Sequence, residues 1–309
     1  QTPTMELAQD TQESARQRWT AALSSYVRNN RLTAAGLALA LIGVIVLLLQ
    51  SLVQIAAGEA APGLRNGLLG GLAGFVATAL GALPALALRH IPQKLEDSLL
   101  GLAAGMMLAA SLFSLLVPAV QTVAASDMPW ALGIATAAAL LAGVGAMQTL
   151  DRRLPHEHVE AVESSGMQPN VALVVAAIAI HNVTEGLAVG VAAAAGADHG
   201  MSLGIAIQNV PEGWIVASAM LALGAAPLRA ALIALGTGLV EPVGGLFGVI
   251  ASTVAGAALP LALAAAAGAM LWVVSHEMIP ASHKPGRIGA GTAGLAAGFA
   301  VMTSLASIF

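Results

Sequence analysis

Long apolar stretches separated by short polar segments run through the chain from residue 33 to residue 308. Each stretch holds about 20 or more mainly apolar residues, the length of an α-helix that crosses a bilayer. The stretches are much longer than membrane β-strands and lack the strict alternation of a barrel. The pattern predicts an all-α, polytopic membrane protein with about nine transmembrane helices, numbered one to nine here, at 33–57, 67–89, 98–123, 129–150, 170–195, 200–223, 229–252, 258–281 and 288–308.

The composition strengthens this interpretation, because 58% of the residues are hydrophobic and only 9% are charged. Soluble domains carry about 25% charged residues, so a soluble enzyme, a disordered chain and a nucleic-acid-binding protein are excluded. The absence of cysteine excludes disulfides, thiolate zinc sites and cysteine nucleophiles. Small residues let membrane helices approach closely, which predicts contact faces at Gly70, Gly71 and Gly74 and at Gly244, Gly245 and Gly248.

Two segments differ from the apolar spans. Residues 6–31 hold seven charges, so we expect 1–32 to be a cytosolic N-terminal segment and 33–309 to be the transmembrane domain. The longest internal loop, 151–169, contains charges, prolines and a His-Glu-His cluster. With a cytosolic N-terminus, eleven of the twelve Lys and Arg residues fall on the cytosolic side and only Arg65 falls outside. This asymmetry supports nine spans with an extracytoplasmic C-terminus.

Acidic residues enter the spans, whereas Lys and Arg do not. An ionised group at the centre of a bilayer costs about 3 kcal/mol or more, so such groups are rare and usually functional. Carboxylates without basic partners need protons or a metal cation as compensation. The residues concerned are Glu185, Glu212, Glu241, Glu277, His181 and His276.

Helices five and six carry two related strings, IAIHNVTEG and IAIQNVPEG, which match at seven of nine positions and lie 27 residues apart. An i, i+4 spacing places the first and last polar residues of each string on one helix face. Carboxylate and imidazole ligands together suit a divalent transition metal such as Zn²⁺. The predicted ligands are His181, Asn182 and Glu185 in the first string, and Gln208, Asn209 and Glu212 in the second.

Pro211, Gly186 and Gly213 are expected to loosen or interrupt helices five and six, as in many transporter sites at membrane depth. In helix seven, Pro242 leaves the carbonyl of Gly238 without its usual amide partner. Glu241, just before that proline, is a plausible further carboxylate ligand. A helix-bonded or proton-carrying Glu241 is the alternative.

Helix eight ends in the motif SHEMIP, which contains His276, Glu277 and Pro280. Consecutive residues on an α-helix point in different directions, so His276 and Glu277 are not expected to face one small site together. They are predicted to form an exit or auxiliary metal position on the cytosolic side, or an interfacial polar pair. A zinc protease of the His-Glu-x-x-His type would need a histidine where Pro280 stands.

Two weaker candidates remain. Ser111 and Ser114 precede Pro118 in helix three, where they could contact substrate or bond the helix backbone. His156 and His158 lie in the 151–169 loop, where such clusters bind transition metals loosely or form a solvated charged linker.

The motifs HNVTEG at 181–186, QNVPEG at 208–213, EPVGG at 241–245 and SHEMIP at 275–280 resemble those of the ZIP (Zrt/Irt-like) divalent metal transporters. Gln208, the extra N-terminal helix and PHEH at 155–158 are similar to the prokaryotic GufA-like branch. The resemblance implies an eight-helix core preceded by that extra helix.

The resemblance also implies a binuclear site. The first metal would be held by His181, Glu185, Gln208 and Glu212, with Ser111 nearby. The second would be held by Asn182, Asn209 and Glu241, with Glu185 and Glu212 bridging. Position 209 is Asn where some close relatives carry Asp, and a neutral amide weakens a second metal by removing a charge.

The resemblance implies that the protein imports Zn²⁺ or a related ion (Cd²⁺, Fe²⁺ or Mn²⁺) into the cytosol. The import would occur by an elevator-like movement. The protein is then not an enzyme and has no prosthetic group. It is expected to be a homodimer in the bilayer of the bacterial cytoplasmic membrane, without a nucleic-acid partner. A proton-coupled carrier of another substrate and an intramembrane metalloprotease are the alternative hypotheses.

Overall fold

The computed structural model describes residues 62–88, 91–153, 171–196, 198–255 and 258–308, together with Val53. Every regular element in those residues is a helix, which confirms the all-α prediction for this part of the chain. Residues 57–309 form one compact unit. The predicted N-terminal segment and, apart from Val53, predicted helix one lie outside the described residues.

Eleven α-helices follow one another in the described residues. They are α1 Pro62–Ala82, α2 Gln93–Ala110, α3 Val117–Ala124, α4 Pro129–Arg153, α5 Val171–Ala194, α6 Asp198–Ala222, α7 Pro227–Gly238, α8 Val240–Ala255, α9 Leu259–Val273, α10 Ile279–Ser282 and α11 Ile288–Ile308. A 3-10 helix, Leu83–Leu86, extends α1. Two π-helical segments join α2 to α3 and α9 to α10, namely Ser111–Leu116 and Val274–Met278.

Six helical stretches in the described residues are long and apolar enough to cross a membrane, so the chain is a multi-pass membrane protein. They are Pro62–Leu86, Gln93–Ala124, Pro129–Arg152, Pro227–Val254, Leu259–Ser282 and Ile288–Ile308. The remaining two long helices, α5 and α6, cover the residues predicted for helices five and six and carry the polar motifs.

The helices pack in two groups. Helices α1, α5, α6, α7 and α8 pack around one another and are called the site bundle here. Around them, α2 pairs with α11 and α4 pairs with α9, and these four, with α3 and α10, are called the flanking helices. The groups meet where α2 contacts α6 and α9 contacts α5. Between them lies a core of small and flexible side chains, mainly Ala and Met.

Glycine faces allow the helices of the site bundle to approach closely, as predicted. A Cβ added at Gly71 would lie only 2.6 Å from Cα of Pro242, and one at Gly244 would lie 2.7 Å from the carbonyl oxygen of Val183. Real Cβ atoms do not approach backbone so closely, so the contacts between α1 and α8 and between α5 and α8 both depend on glycine.

The predicted interruption of helices five and six is wrong. Helix α6 continues through Pro211, and α5 continues through Gly186. Neighbouring membrane helices hold a proline-containing helix together despite the lost hydrogen bond. The glycines serve packing instead, because a Cβ at Gly186 would lie 2.9 Å from Cα of Glu241 and one at Gly213 would lie 2.9 Å from the carbonyl carbon of Thr78.

The helix irregularities lie elsewhere. Predicted helix seven changes from α7 to α8 at Leu239, just before Glu241 of the EPVGG motif. The two π-helical segments each precede a proline, Pro118 or Pro280. In both, a backbone amide bonds five residues back, from Val117 to Leu112 and from Ile279 to Val274. Such wide turns are frequent at functional sites.

Candidate metal centre

Helices α5 and α6 bring the two related motifs together in the interior of the protein. His181 and Glu185 lie one turn apart on α5, with Nε2 of the imidazole 3.5 Å from Oε1 of Glu185. The same Nε2 lies 3.7 Å from Oε1 of Glu212, which comes from α6. All three residues are buried, and Glu185 is completely inaccessible.

These three residues, called the central cluster here, have the geometry of a metal site. Each offers one ligand atom, and the three atoms lie within 4.8 Å of one another. Ligands at about 2.1 Å around a tetrahedral Zn²⁺ are about 3.4 Å apart, close to the 3.5 and 3.7 Å measured from the imidazole. One imidazole and two carboxylates form a donor set that suits Zn²⁺ and related transition metals.

Gln208 holds one carboxylate of the central cluster in place. Its Nε2 donates a hydrogen bond of 2.5 Å to Oε1 of Glu185. The side chain is completely buried, and its own Oε1 has no hydrogen-bond partner among the described residues. The amide therefore orients Glu185 with its nitrogen and leaves its oxygen available to a cation.

Unpaired polar atoms concentrate at this place. Eight buried side-chain polar atoms in the described residues lack a hydrogen-bond partner, and five of them belong to the two motifs. An unpaired buried polar group costs about 1–3 kcal/mol, so such a group of them calls for a ligand. The five atoms are Nε2 of His181, Oε2 of Glu185, Oε1 of Gln208, Oδ1 of Asn209 and Oε1 of Glu212.

Glu241 forms a second polar group beside the first. The helix change at Leu239 places this residue in the first turn of α8, where it is completely buried. Nδ2 of Asn209 donates a 2.7 Å hydrogen bond to its Oε2, and Oγ1 of Thr78 donates a 3.1 Å hydrogen bond to its Oε1. Both carboxylate oxygens are thus held by neutral donors. Asn182 is also buried on α5.

Glu277, predicted with His276 as an exit or auxiliary position on the cytosolic side, contacts the central cluster, and the two residues point in different directions as predicted. Oε2 of Glu277 is 3.7 Å from Nδ1 of His181. The π-helical segment Val274–Met278 changes the direction of side chains relative to an α-helix and aims Glu277 inward. The exposed His276 instead packs its ring against Trp272, with 4.4 Å between ring centroids.

Residues 149–306 match the family model described as the ZIP zinc transporter. The chain belongs to the ZIP zinc transporter family. It is 44% identical over 304 residues to zinc transporter ZIPB of Bordetella bronchiseptica, covering 90% of this chain and 92% of that protein. It is also 44% identical over 241 residues to zinc transporter GufA of Myxococcus xanthus, covering 75% of this chain and 94% of that protein.

A more distant ZIP relative matches a shorter part of the chain. Human zinc transporter ZIP11 is 37% identical over 144 residues, which cover 44% of this chain and 42% of that protein. The two bacterial matches confirm the predicted placement in the GufA-like prokaryotic branch.

The remaining predicted ZIP site residues have different surroundings. Ser111 is buried, but its hydroxyl donates to the carbonyl oxygen of Met107 at 2.8 Å, one turn back on its own helix. Ser114 is buried in the same π-helical segment. His156 and His158 of the loop motif lie outside the described residues.

Thr78 is the residue of this ZIP site that sequence reasoning missed. It lies on α1, in an apolar span without acidic or basic residues near it, and a neutral hydroxyl gives no charge signal. The sequence pattern assigns Gly74, one turn earlier, only to helix packing. The i, i+4 spacing of a small residue and a hydroxyl residue on α1 was the available sequence signal.

Proposed function

We propose that this ZIP-family protein imports divalent transition-metal ions, Zn²⁺ above all, across the bacterial cytoplasmic membrane into the cytosol. The observation that carries the proposal is the central cluster, His181, Glu185 and Glu212, in helices of a membrane protein. In the described part of the chain, no lysine or arginine forms an ion pair with these carboxylates. A divalent cation supplies the missing compensation. The names of the two bacterial relatives, both zinc transporters, support the same substrate.

In this proposal, two neighbouring positions receive the ion. His181, Glu185 and Glu212 hold it at the first position with Oε1 of Gln208, and Ser111 lies along its path. Asn182, Asn209 and Glu241 form the second position, which has fewer charges and a lower affinity. The hydrated ion exchanges water for these ligands, because carboxylate, imidazole and amide groups replace its hydration shell inside the apolar helix bundle.

Movement of the site bundle relative to the flanking helices then opens the ligands to the cytosol. Glycine contacts unite the site bundle internally, which supports its movement as one body. Glu277 links the two groups through His181 and belongs to the release side of this path. His276, His156 and His158 are proposed as further cytosolic positions for the released ion.

The proposal includes the arrangement in the membrane. The helices comprise nine spans, with a cytosolic N-terminus, an extracytoplasmic C-terminus and the 151–169 loop in the cytosol, as the Lys and Arg distribution favours. The protein acts as a homodimer and is a carrier, not an enzyme.

The function is tested with purified protein in liposomes that contain a zinc-sensitive dye. The wild type is expected to take up Zn²⁺, and Glu212→Ala is expected to lose at least about tenfold of the uptake rate because a charged ligand is removed. The matched control is Asp127→Ala, which removes an exposed carboxylate outside the site. Equal uptake by Glu212→Ala and the wild type would overturn the site.

Competition among Zn²⁺, Cd²⁺, Fe²⁺ and Mn²⁺ in the same liposomes gives the metal preference, with Zn²⁺ expected first. Mass spectrometry of metals in the purified protein separates this function from a proton-driven carrier of another substrate. Bound transition metal in the wild type and its loss in Glu212→Ala support metal transport, whereas a metal-free wild type in zinc-containing buffer contradicts it.

A further inference from the structure

Thr78 connects helix α1 to the carboxylate of Glu241. Its Oγ1 lies 3.1 Å from Oε1 of Glu241 and 3.2 Å from the carbonyl oxygen of Gly74. A hydroxyl has one proton to donate, and a carboxylate is the stronger acceptor of the two. The carbonyl of Gly74 also has a regular helix partner available, the amide one turn further on. The hydroxyl proton therefore serves Glu241.

The surroundings of Thr78 fix the direction of its hydroxyl. The side chain is only 1% exposed. A Cβ added at Gly238 of α7 would lie 3.1 Å from Cβ and 3.3 Å from Oγ1 of Thr78, so α7 closes one side of the hydroxyl. β-Branched side chains are also restricted in χ1. Packing and covalent structure thus hold the donor in one orientation.

Gly74 provides the space into which the Glu241 carboxylate reaches. A Cβ at Gly74 would overlap Oε2 of Glu241 and would lie 3.0 Å from Nδ2 of Asn209. One face of α1 therefore contributes an opening at Gly74 and a donor at Thr78, one turn apart. Both act on the same carboxylate.

We infer that Thr78 is a positioning residue of the metal site, whose hydroxyl orients the Glu241 carboxylate and thereby increases the affinity for the transported cation. A carboxylate oxygen has two lone pairs, so a single hydrogen bond to each oxygen leaves lone pairs for a metal ion. Thr78 and Asn209 therefore hold Glu241 in place and still leave it able to bind a cation. The inference rests on the proposed transport of divalent metal.

The experiment measures Zn²⁺ uptake into liposomes over a range of zinc concentrations. Thr78→Val keeps the shape and removes the hydroxyl, whereas Thr78→Ser keeps the hydroxyl. Because a hydrogen bond to a charged group is lost, Thr78→Val is expected to raise KM about tenfold and to change the maximum rate by less than about twofold. Thr78→Ser keeps this hydrogen bond, so its KM is expected to lie within about threefold of the wild-type value.

Thr136→Val is the matched control. Thr136 is also a buried threonine in a membrane helix, but it lies on α4 outside the site, and its hydroxyl finds no hydrogen-bond partner in the part of the chain that the structure describes. Its replacement is expected to leave KM unchanged. A similar rise in KM for both threonine-to-valine variants would overturn the inference, because it would reflect general packing.

A double variant tests whether Thr78 acts through Glu241. In a Glu241→Ala background, where the acceptor is absent, Thr78→Val is expected to weaken zinc binding by less than about twofold further, as titrated with the purified protein. An undiminished tenfold effect would contradict a role through Glu241. Thermal unfolding without metal checks that each variant is folded, and Thr78→Ala replaces Thr78→Val if the latter does not fold.

The outcomes separate this inference from the function on which it rests. A wild type that takes up no divalent metal overturns the proposed function. If the wild type transports metal but Thr78→Val has the same KM, only the role of Thr78 is overturned. The same conclusion follows if Thr78→Ser has a KM as high as that of Thr78→Val.

Discussion

The carboxylate of Glu277 lies 3.7 Å from Nδ1 of His181, on the opposite side of the imidazole from Glu185 and Glu212. The histidine belongs to the site bundle and Glu277 to the segment that follows α9 in the flanking helices. Histidines that bind a metal through one ring nitrogen usually donate the other to a carboxylate, which fixes the tautomer and increases ligand basicity. The 3.7 Å separation is longer than a hydrogen bond but within ion-pair range, so Glu277 acts on His181 through its charge.

The first prediction concerns that contact. Glu277→Gln keeps the size of the side chain and removes its charge, so the imidazole becomes a weaker ligand. We expect zinc affinity to fall by about tenfold, measured as KM for uptake, because loss of such outer partners weakens metal sites by about 10–100-fold. Asp127→Asn, which neutralises an exposed carboxylate, is the control and should leave KM unchanged. An unchanged KM in Glu277→Gln would mean that the contact has no role in binding.

The second prediction follows from the unpaired polar atoms of the central cluster. Zinc at 100 times its Kd stabilises a protein that binds it only when folded by about 2.7 kcal/mol. For a protein of this size, we expect the melting temperature in detergent to rise by about 4 °C when zinc is added. Tryptophan fluorescence measures the transition. His181→Ala should show no zinc-dependent rise, and an equal rise in that variant would place the bound metal elsewhere.

The third prediction concerns Asn209, whose amide donates a 2.7 Å hydrogen bond to Glu241. In Asn209→Asp, the amide donor becomes a second carboxylate facing Glu241. The repulsion between the two carboxylates favours a second cation between them. We expect the number of bound transition-metal ions to rise from about one to about two per chain, counted by mass spectrometry of metals. Gln121→Glu adds a carboxylate at an exposed position and should leave the ratio unchanged. Two ions already bound to the wild type would contradict this prediction.

The fourth prediction tests the glycine contacts of the site bundle. Gly71→Ala places a Cβ 2.6 Å from the Pro242 backbone, whereas a Cβ at Gly145 of α4 meets no atom of the described residues within 4 Å. We expect Gly71→Ala to destabilise the protein by about 1–3 kcal/mol through overpacking. Gly145→Ala should stabilise it by up to about 1 kcal/mol, because alanine favours the helix. Thermal unfolding of both variants measures the difference, and a Gly71→Ala variant as stable as Gly145→Ala would contradict a tight contact there.

The sequence predicted those features that depend on periodicity and on costly charge. The length of the apolar stretches predicted the helices. Small residues predicted the glycine contact faces at Gly71 and Gly244. The repeated motif predicted that His181 and Glu212 meet. A carboxylate within an apolar span has a large cost, so its position is informative without knowledge of the fold.

The features that were missed depend on local helix geometry and on contacts between distant parts of the chain. Helix periodicity predicted that His276 and Glu277 point in different directions, but it did not predict that Glu277, in a π-helical turn, faces His181. Pro211 was expected to interrupt a helix that tertiary packing keeps continuous. Thr78 is 163 residues from its partner Glu241, and a neutral hydroxyl does not reveal such a contact.

The two π-helical segments, Ser111–Leu116 and Val274–Met278, also affect how the chain can vary in length. A π turn contains about one residue more than an α turn, since its hydrogen bond reaches five residues back instead of four. Deleting one residue there can convert the turn to regular α-helix while the helices on either side keep their buried faces. A deletion elsewhere in these spans would rotate every later side chain by about 100°. Single-residue gaps between relatives are therefore expected to fall within these two turns.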